Sequence, residues 1–370
     1  MGCDGNDIPL FGPEEGTEET TYSGQFLDSV VTNLDYRTAT QTGTTDGAGR
    51  FSYREGETVT FSIGGVILGT AKGQPIITPV NLITNGSSST PAVQNIARFL
   101  LALDGDDNPR NGINLSSDLK TAAAEWGEVD FSAADFATEV GALLDAAGSV
   151  EGRTVTLPSA SEARYHLEQT IYCAYGGAFS GTFTDPAGYD GEWIALVDTS
   201  NGGIIGTLRA TNGASFQMNG NFFADAAGTF SVDIYPQNTL TRWQGKLTSS
   251  GRLLTDSGNA SGNREMAELP EGSTQGTLFK GALARGTQDE ITDIYALTFA
   301  INGSNIIAIA YSLTSNVYVD VQAVSIDADR VQLTVDGINL IAGGIENGDY
   351  VTISGIQGNE QIGGTACQSP

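Results

Sequence analysis

The sequence predicts a mainly β protein with a small α-helical insert: an N-terminal β-sandwich-like module, a helical segment, and a C-terminal antiparallel β-barrel or sandwich. Glycine accounts for 48 of the 370 residues, and turn-forming pairs recur along the chain. Short runs that alternate polar and apolar residues occupy both ends, whereas helical periodicity is confined to a block between them. Because the helices follow strands without alternating with them, the pattern does not fit a doubly wound parallel sheet.

The first 20 residues contain six acidic residues and no basic one, which is too polar a composition to bury a core. Cys3 stands at the head of this stretch. A cysteine followed by an acidic leash resembles the mature start of a bacterial lipoprotein. The resemblance implies an acyl anchor on the sulfur of Cys3; the alternative is an ordinary free thiol.

The next segment reads as short strands, and residues 57–63 alternate polar and apolar side chains. Residues 45–53 read Thr-Asp-Gly-Ala-Gly-Arg-Phe-Ser-Tyr and are followed by Gly56. This phrase resembles the pattern of prealbumin-like modules, such as carboxypeptidase regulatory-like domains. The resemblance implies an Asp-Gly turn between two strands, an inward aromatic on the second strand, and a structural role.

Helical periodicity begins at Pro91, a favoured residue for a first helical turn. Serine residues stand where helix caps are expected. The pattern predicts helices over 91–103, over 118–126 after Ser116 or Ser117, over 132–147, and from Ser159 or Ser161 onward.

An Asp-rich loop follows the first of these helices. Asp104, Asp106 and Asn108 place oxygen side chains at alternate positions, the carbonyl of Arg110 adds one more, and Asp118 follows on the next helix. Ca²⁺ prefers six to eight such oxygens, so the sequence predicts a calcium site. The match to an EF-hand is incomplete, because a proline replaces the bend glycine and a leucine replaces the bidentate glutamate. The alternative is a metal-free turn that caps two helices.

From Tyr175 onward the pattern is all β, with strands about 8–12 residues apart, which is typical of an antiparallel barrel or sandwich. The pair Asn302-Gly303 between two apolar runs predicts a hairpin. Trp193 and Trp243 are candidate ligand contacts, because indole rings stack on sugars or line a barrel mouth. The alternative is that both face the core.

The two remaining cysteines, Cys173 and Cys367, are 194 positions apart. In an exported protein we expect this pair to be oxidised, tying the C-terminus to the start of the last domain. The alternative is two buried free thiols.

Net charge and motif content exclude several functions. The formal charge of −27 leaves no basic stripe for nucleic acid and disfavours adsorption to anionic lipid. No apolar run reaches the about 20 residues needed to span a bilayer, so we expect membrane attachment through the lipid anchor only. The single histidine, His166, cannot make a zinc site alone and is expected on a helix surface or between helices.

A second resemblance spans about residues 22–185. It is carried by the helical phrase at 95–101, by Asn111-Gly112-Ile113, and by the strands at 26–28 and 179–183. These segments resemble uncharacterised lipoproteins of marine Gram-negative bacteria. The resemblance implies an exported, envelope-attached protein and brings no known reaction with it.

Together these patterns divide the chain into an acidic flexible tether (1–21), a prealbumin-like β module (22–88), a helical segment with the Asp-rich loop (89–172) and an antiparallel β-barrel or sandwich domain (173–370). The expected function is noncatalytic: a lipid-anchored envelope protein, of the outer membrane or cell surface, that binds or assembles with a protein or glycan partner. Two alternatives stay open. One is a carrier of a small apolar ligand in the C-terminal barrel, and the other is a hydrolase that uses paired carboxylates.

Overall fold

The structure is a computed structural model that describes residues 20–184, 188–235, 242–269, 276–287, 290–327, 329–345 and 350–369. Cys3 and nearly all of the predicted tether lie outside the described residues. Within the described ranges, every helix is too short or too polar to cross a lipid bilayer.

Two small sheets form the N-terminal part of the molecule. Its strands are β1 (Thr21–Phe26), β2 (Val31–Thr32), β3 (Asp35–Arg37), β4 (Thr42–Thr44), β5 (Arg50–Arg54), β6 (Thr58–Ile63), β7 (Val66–Lys72) and β8 (Ile76–Ile77). One sheet has the order β5-β1-β8 and the other β4-β3-β6-β7. Phe26 and Phe51 of the first sheet pack on Phe61 of the second, with ring centroids 4.7 and 5.2 Å apart. The sandwich-like arrangement predicted for this part is therefore present.

The predicted Asp-Gly turn lies between β4 and β5. The side chain of Asp46 accepts hydrogen bonds from the backbone N–H groups of Ala48 and Arg50, both at 2.9 Å. Gly49 has a φ of 71°, a conformation that glycine adopts without steric cost. Phe51 then points inward and is 1% exposed. This local structure is the one that the prealbumin-like resemblance implies, and family membership itself stays a prediction.

Four α-helices follow, and each predicted helix is present. They are α1 (Pro91–Ala102), α2 (Ser117–Ala123), α3 (Phe136–Glu151) and α4 (Ala160–Tyr175). Ser116 caps α2 and Ser159 caps α4 through their hydroxyl groups. The start of α3 was predicted four residues too early, because Asp135 accepts the N–H of Thr138 as the cap and Ser132 is instead bound to Asp130 in the preceding turn.

Helices α1, α2 and α3 share one hydrophobic core with the N-terminal sheets. Phe99 of α1, Leu103 directly after α1 and Val140 of α3 are fully buried in the same cluster as Phe26 and Phe61 of the sheets. A short strand between the helices, β9 (Ile113–Asn114), also pairs in parallel with β2. The predicted boundary between residues 88 and 89 therefore runs through a single core.

An eight-stranded antiparallel barrel begins directly after α4. Its strands are β10 (Gly177–Thr184), β11 (Asp190–Val197), β12 (Gly203–Ala210), β13 (Ser215–Phe222), β14 (Thr229–Tyr235), β15 (Arg242–Leu247), β16 (Arg252–Thr255) and β17 (Ala260–Glu265). Each strand pairs with the next, and β17 closes the barrel on β10. We call it the first barrel. Its outer end is covered by α1 and α4, whose Val93, Ala97 and Leu167 belong to the same core as the barrel interior.

A second β unit follows, a nine-stranded antiparallel sheet that is nearly closed. Its strands are β18 (Thr277–Gly286), β19 (Ile291–Asn302), β20 (Asn305–Ser312), β21 (Val317–Val319), β22 (Val321–Asp327), β23 (Arg330–Val335), β24 (Ile338–Gly343), β25 (Tyr350–Gln357) and β26 (Glu360–Ser369). We call it the second barrel. The predicted hairpin at Asn302-Gly303 joins β19 to β20. Each barrel has its own core, so the region predicted as one domain holds two β units.

The outer faces of the two barrels pack against each other. Ala178 and Ile194 of the first barrel contact Ala282, Ile294 and Ala296 of the second in one buried cluster. Small side chains let the two sheets approach closely. A disulfide between Cys173 of α4 and Cys367 of β26 ties the helix to the second barrel, which confirms the predicted pairing.

Candidate binding cleft between the two barrels

A cleft of about 300 Å³ opens where the N-terminal part, α4 and the two barrels meet. We call it the inter-barrel cleft. Its walls come from the end of β1 and the following turn (25–30), the end of the Asp-rich loop (110–112), α4 and the start of β10 (169–177), the end of β17 (264–267), β18 (280–281), β19 (296–298) and β26 (367–368). The disulfide forms part of the wall, so a covalent bond fixes the separation of two of its sides.

Arg110 lines the inter-barrel cleft, and two further basic side chains, Arg264 and Lys280, face it. Nη1 of Arg264 donates to the backbone carbonyl of Ala174 at 2.6 Å. Among the described residues, no ion pair joins either cation to a carboxylate. Burial lowers the pKa of both groups, and the charge of Arg264 lowers the pKa of Lys280 further. The cleft therefore concentrates positive charge in a partly desolvated place.

An amide side chain in the same wall has an unused acceptor. Gln169 of α4 is 6% exposed, and its Nε2 donates to the carbonyl of Ser200 at 2.7 Å. Its Oε1 is buried and accepts no hydrogen bond within the described structure. A buried acceptor without a partner costs about 1–3 kcal/mol, so a donor that reached Oε1 of Gln169 would relieve this cost.

Of the acidic and phenolic groups near these cations, Glu265 already accepts a hydrogen bond and Tyr175 is neutral. The hydroxyl of Ser180 donates to Glu265 at 2.6 Å. The charge of Glu268 opposes the lowering of the pKa of Lys280, as the smallest of three effects. Burial raises the pKa of Tyr175, near Arg264, to about 12, so this phenol is neutral at physiological pH. The positive character of the cleft is consequently only partly offset.

Beside the cleft, the turn after β1 contacts α4 through His166. Nε2 of His166 lies 3.2 Å from the hydroxyl of Ser29 and 3.8 Å from Oδ1 of Asp28. Asp28 is fully buried, and neither carboxyl oxygen has a hydrogen-bond partner among the described residues. Burial raises the pKa of Asp28 to about 6, and His166 lowers it. His166 thus packs against a β turn, whereas the sequence placed it on a helix surface or between helices.

These three residues are not arranged as a catalytic triad. In a Ser-His-Asp triad the histidine binds the serine through one ring nitrogen and the carboxylate through the other. Here both the hydroxyl of Ser29 and the carboxylate of Asp28 approach the same nitrogen, Nε2 of His166. Ser29 adopts a φ of 55°, and its N–H is held by Oγ1 of Thr170 at 2.9 Å. The arrangement fixes the turn against α4.

The Asp-rich loop is held by its own hydrogen bonds. Asp104 is fully buried and accepts the N–H groups of Asn108 and Asn114 at 2.9 and 3.0 Å. Burial, as the largest effect, raises the pKa of Asp104. Asp106 accepts from the side-chain amide of Asn111 at 2.7 Å, which lowers the pKa of Asp106. The carboxylates therefore act as acceptors that shape the turn.

The other residues of the predicted calcium site lie apart from these carboxylates. Arg110 lines the inter-barrel cleft, and Asp118 is exposed in the first turn of α2. Arg153 forms an ion pair with Asp107 at 3.3 Å, which places a cation beside the loop. In the described ranges, no three His, Cys, Asp or Glu side chains are grouped as a metal site. Calcium binding stays a prediction.

Trp193 and Trp243 lie inside the first barrel. They are 1% and 4% exposed, and their ring centroids are 6.4 Å apart at 75°. Phe183 packs on Trp243 at 5.9 Å, and the indole N–H of Trp193 donates to the carbonyl of Thr182. Of the two interpretations of these residues, core packing is the one that their contacts support.

Arg264, Lys280 and Gln169 were not predicted from the sequence. They belong to β17, β18 and α4, and no sequence motif connects them. The available signal was the scarcity of basic residues: the chain has only 17 basic residues against 44 acidic ones, so any two basic residues that lie near each other are notable. Cys173, Cys367 and Arg110 also line the cleft, although the sequence predicted the cysteines as a disulfide and Arg110 as a calcium ligand.

Comparison with known proteins adds little. No protein family matches the chain, and no curated protein does. Kievitone hydratase from Nectria haematococca is 8% identical over 52% of this chain and 89% of its own, with a TM-score of 0.21. A DUF3598-family protein of unknown function from Nostoc punctiforme is 12% identical over 55% of this chain and 98% of its own, with a TM-score of 0.16. Both scores are too low to indicate a shared fold.

Proposed function

We propose that this protein is a noncatalytic binding protein of the bacterial cell envelope. In this proposal a lipid on Cys3 anchors it, and the inter-barrel cleft holds a component of a partner protein or glycan. The observation that carries the proposal is the cleft itself. Three basic residues and an unused acceptor stand in walls contributed by the Asp-rich loop, α4 and both barrels.

Binding, in preference to catalysis, is supported by how the polar groups beside the cleft are held. His166 offers a single nitrogen to both Ser29 and Asp28, which is the wrong geometry for activating a nucleophile. The carboxylate of Glu265 accepts the hydroxyl of Ser180. These contacts fix the walls, as a preformed binding site requires.

The first barrel has the architecture that the carrier alternative needs, because eight strands enclose either packed side chains or one small ligand. Its interior contains Trp193, Trp243, Phe179 and Phe183 in one buried cluster. A ligand would have to displace these rings. Their packing favours the cleft over the barrel interior as the binding site.

Site-specific photo-cross-linking tests the proposal. A benzophenone amino acid would be placed at Met266, which lines the cleft and is 42% exposed, and the protein would be expressed in its natural host. We expect a discrete cross-linked partner, identified by mass spectrometry. The matched control is Ile307, 44% exposed on β20 of the second barrel, which should give none. The same products from both positions would contradict the proposal.

The anchor is tested separately. We expect an azido fatty acid fed to the same cells to label the wild-type protein and to leave the Cys3→Ala variant unlabelled. Equal labelling of the two proteins, or none of either, would refute lipidation at Cys3.

A further inference from the structure

We infer that the inter-barrel cleft binds a small hydroxyl-bearing organic anion, of the size of one acidic sugar unit. Arg264 and Lys280 would contact the anionic group, and Oε1 of Gln169 would accept a hydrogen bond from a ligand hydroxyl. This inference rests on the proposed function, because it names the chemistry of what the cleft holds.

The charge distribution supports the anionic group. Acidic residues outnumber basic ones 44 to 17, so carboxylates to pair with a cation are plentiful along the chain. Exposed basic residues such as Arg164 and Arg242 form such pairs. Arg264 and Lys280 instead lie near each other in a partly desolvated cleft, with no ion pair to a carboxylate among the described residues. Buried charges are normally paired, and an anionic ligand would complete this arrangement.

The need for a hydroxyl group on the ligand follows from the free acceptor of Gln169. Its Nε2 is engaged with Ser200, so the group left over is a carbonyl oxygen, which accepts and cannot donate. A bare anion would bring only further acceptors to this atom. A ligand that satisfies all three side chains therefore needs an anionic group and a hydrogen-bond donor on one molecule.

The size and walls of the cleft limit the ligand further. A volume of about 300 Å³ is at the lower end of the range for small-molecule sites. Leu27, Ile76 and Leu297 contribute apolar surface to the walls. A single hydroxylated ring with one acidic group matches this mixture better than an inorganic ion, which would leave the apolar walls uncovered.

The test is calorimetric titration of the full 370-residue chain with glucuronate, with sulfate and with glucose. Glucuronate carries a carboxylate and hydroxyls, sulfate is an anion without a donor, and glucose is the neutral control. We expect glucuronate to bind most tightly, sulfate more weakly, and glucose at least about tenfold more weakly than glucuronate, because hydrogen bonds to charged groups are the stronger ones. Equal affinities for glucose and glucuronate would overturn the anionic part of the inference.

Variants then assign the contacts. Lys280→Gln and Arg264→Gln should each weaken glucuronate binding about tenfold to a hundredfold. Lys246→Gln, an exposed lysine on β15 of the first barrel, should leave it unchanged. Lys280→Gln is decisive if Arg264→Gln fails to fold, because Arg264 also holds the carbonyl of Ala174. Equal affinities of wild type and Lys280→Gln for glucuronate would overturn the inference.

The variant Gln169→Met distinguishes the contact to the ligand hydroxyl from the contact to the anionic group, because it removes the acceptor and keeps both cations. We expect glucuronate binding to weaken about tenfold while sulfate binding is unchanged; no change for glucuronate would overturn the role of Gln169. The outcome is also distinguishable from failure of the proposed function. If Met266 cross-links a partner while neither anion binds, the anion inference falls and the binding function stands. If glucuronate binds while no partner is captured, the proposed partner falls and the site stands.

Discussion

The interior of the first barrel and the inter-barrel cleft share a strand and differ in chemistry. Ala260 and Gly262 of β17 face the barrel interior, and Arg264 at the end of the same strand faces the cleft. Inside the barrel the approach is so close that a side chain on Gly262 would lie 2.4 Å from the ring of Trp193. Within five residues, Ala260 to Arg264, this strand thus passes from dense apolar packing to a charged opening.

The difference teaches where a site arises in a protein built from several β units. A barrel of eight strands can fill itself with its own side chains, as the first barrel does. The junction between the units cannot be filled so completely, because its surfaces belong to elements with independent geometry. We therefore expect changes inside the barrel to act on stability, and changes at the polar cleft residues Lys280 and Gln169 to act on binding.

The disulfide is the largest expected single contributor to stability, and it lies in the cleft. Its cysteines are 194 residues apart, and closing such a loop stabilises by about 5 kcal/mol on the chain-entropy model. We expect the double variant Cys173→Ala, Cys367→Ala to lose about this free energy of unfolding in urea titrations. Each single variant should lose a similar amount, and a change much below about 2 kcal/mol would contradict the prediction.

The barrel interior comes next. Trp243→Ala removes a ring that packs on Trp193 and Phe183, and we expect a loss of about 3–5 kcal/mol in the free energy of unfolding. Tyr235→Ala, which truncates an aromatic side chain that is 44% exposed on the same barrel, should cost much less. Affinity for glucuronate should be unchanged in the folded Trp243→Ala protein. A loss of affinity comparable to that of Lys280→Gln would break the contrast between the interior and the cleft.

The buried carboxyl of Asp28, beside the cleft, should make the stability of the protein depend on pH. Burial raises its pKa from 3.8 to about 6. Because the pKa of Asp28 is higher in the folded than in the unfolded protein, the protonated carboxyl stabilises the fold. This contribution to the free energy of unfolding is fully present below pH 3.8 and is lost as the pH rises through about 6. This shift of the pKa corresponds to a change of about 3 kcal/mol in the free energy of unfolding between low and high pH. We expect Asp28→Asn to be the more stable protein at pH 8 and to lack this part of the pH dependence in urea titrations.

Two controls accompany this prediction. Asp256→Asn, at an exposed position, should leave the pH dependence as it is in wild type. His166→Gln removes the group that lowers the pKa of Asp28, so the loss of stability should move to higher pH. Parallel pH profiles for wild type and Asp28→Asn would refute the assignment.

Calcium is the smallest expected effect. A millimolar site would raise the free energy of unfolding by about 1 kcal/mol at 5 mM calcium. We expect calcium to raise the thermal midpoint of wild type and to leave that of Asp104→Ala, Asp106→Ala unchanged. Asp145→Ala, at an exposed position on α3, should respond as wild type does. Identical melting curves with calcium and with chelator would favour the metal-free turn.

Local signals explain what was predictable. Pro91, Ser116 and Ser159 marked helix starts that the structure confirms, because caps are satisfied by residues next to them in the chain. The hairpin at Asn302 is likewise local. The start of α3 was missed, because serine and aspartate both cap helices. Here the hydroxyl of Ser132 donates to the carboxylate of Asp130, whereas Asp135 accepts the N–H of Thr138.

Long-range closure was harder to predict. The pairing of β10 with β17 decides between barrel and sandwich, and it joins residues about 80 positions apart. The same holds for the cleft, where Gln169, Arg264 and Lys280 meet only after α4 and both barrels have docked. Cys173 and Cys367 were the exception, because oxidation of one spare pair leaves a single pairing to consider.

The two barrels should also differ in how their backbone amides exchange with solvent. In the first barrel every strand has two neighbours, so opening it requires breaking a continuous ladder. In the second barrel β21 and β22 end the sheet, and within the described chain each pairs on one side. Deuterium should therefore enter first along this seam, whereas β10–β17 should exchange only when the whole ladder opens.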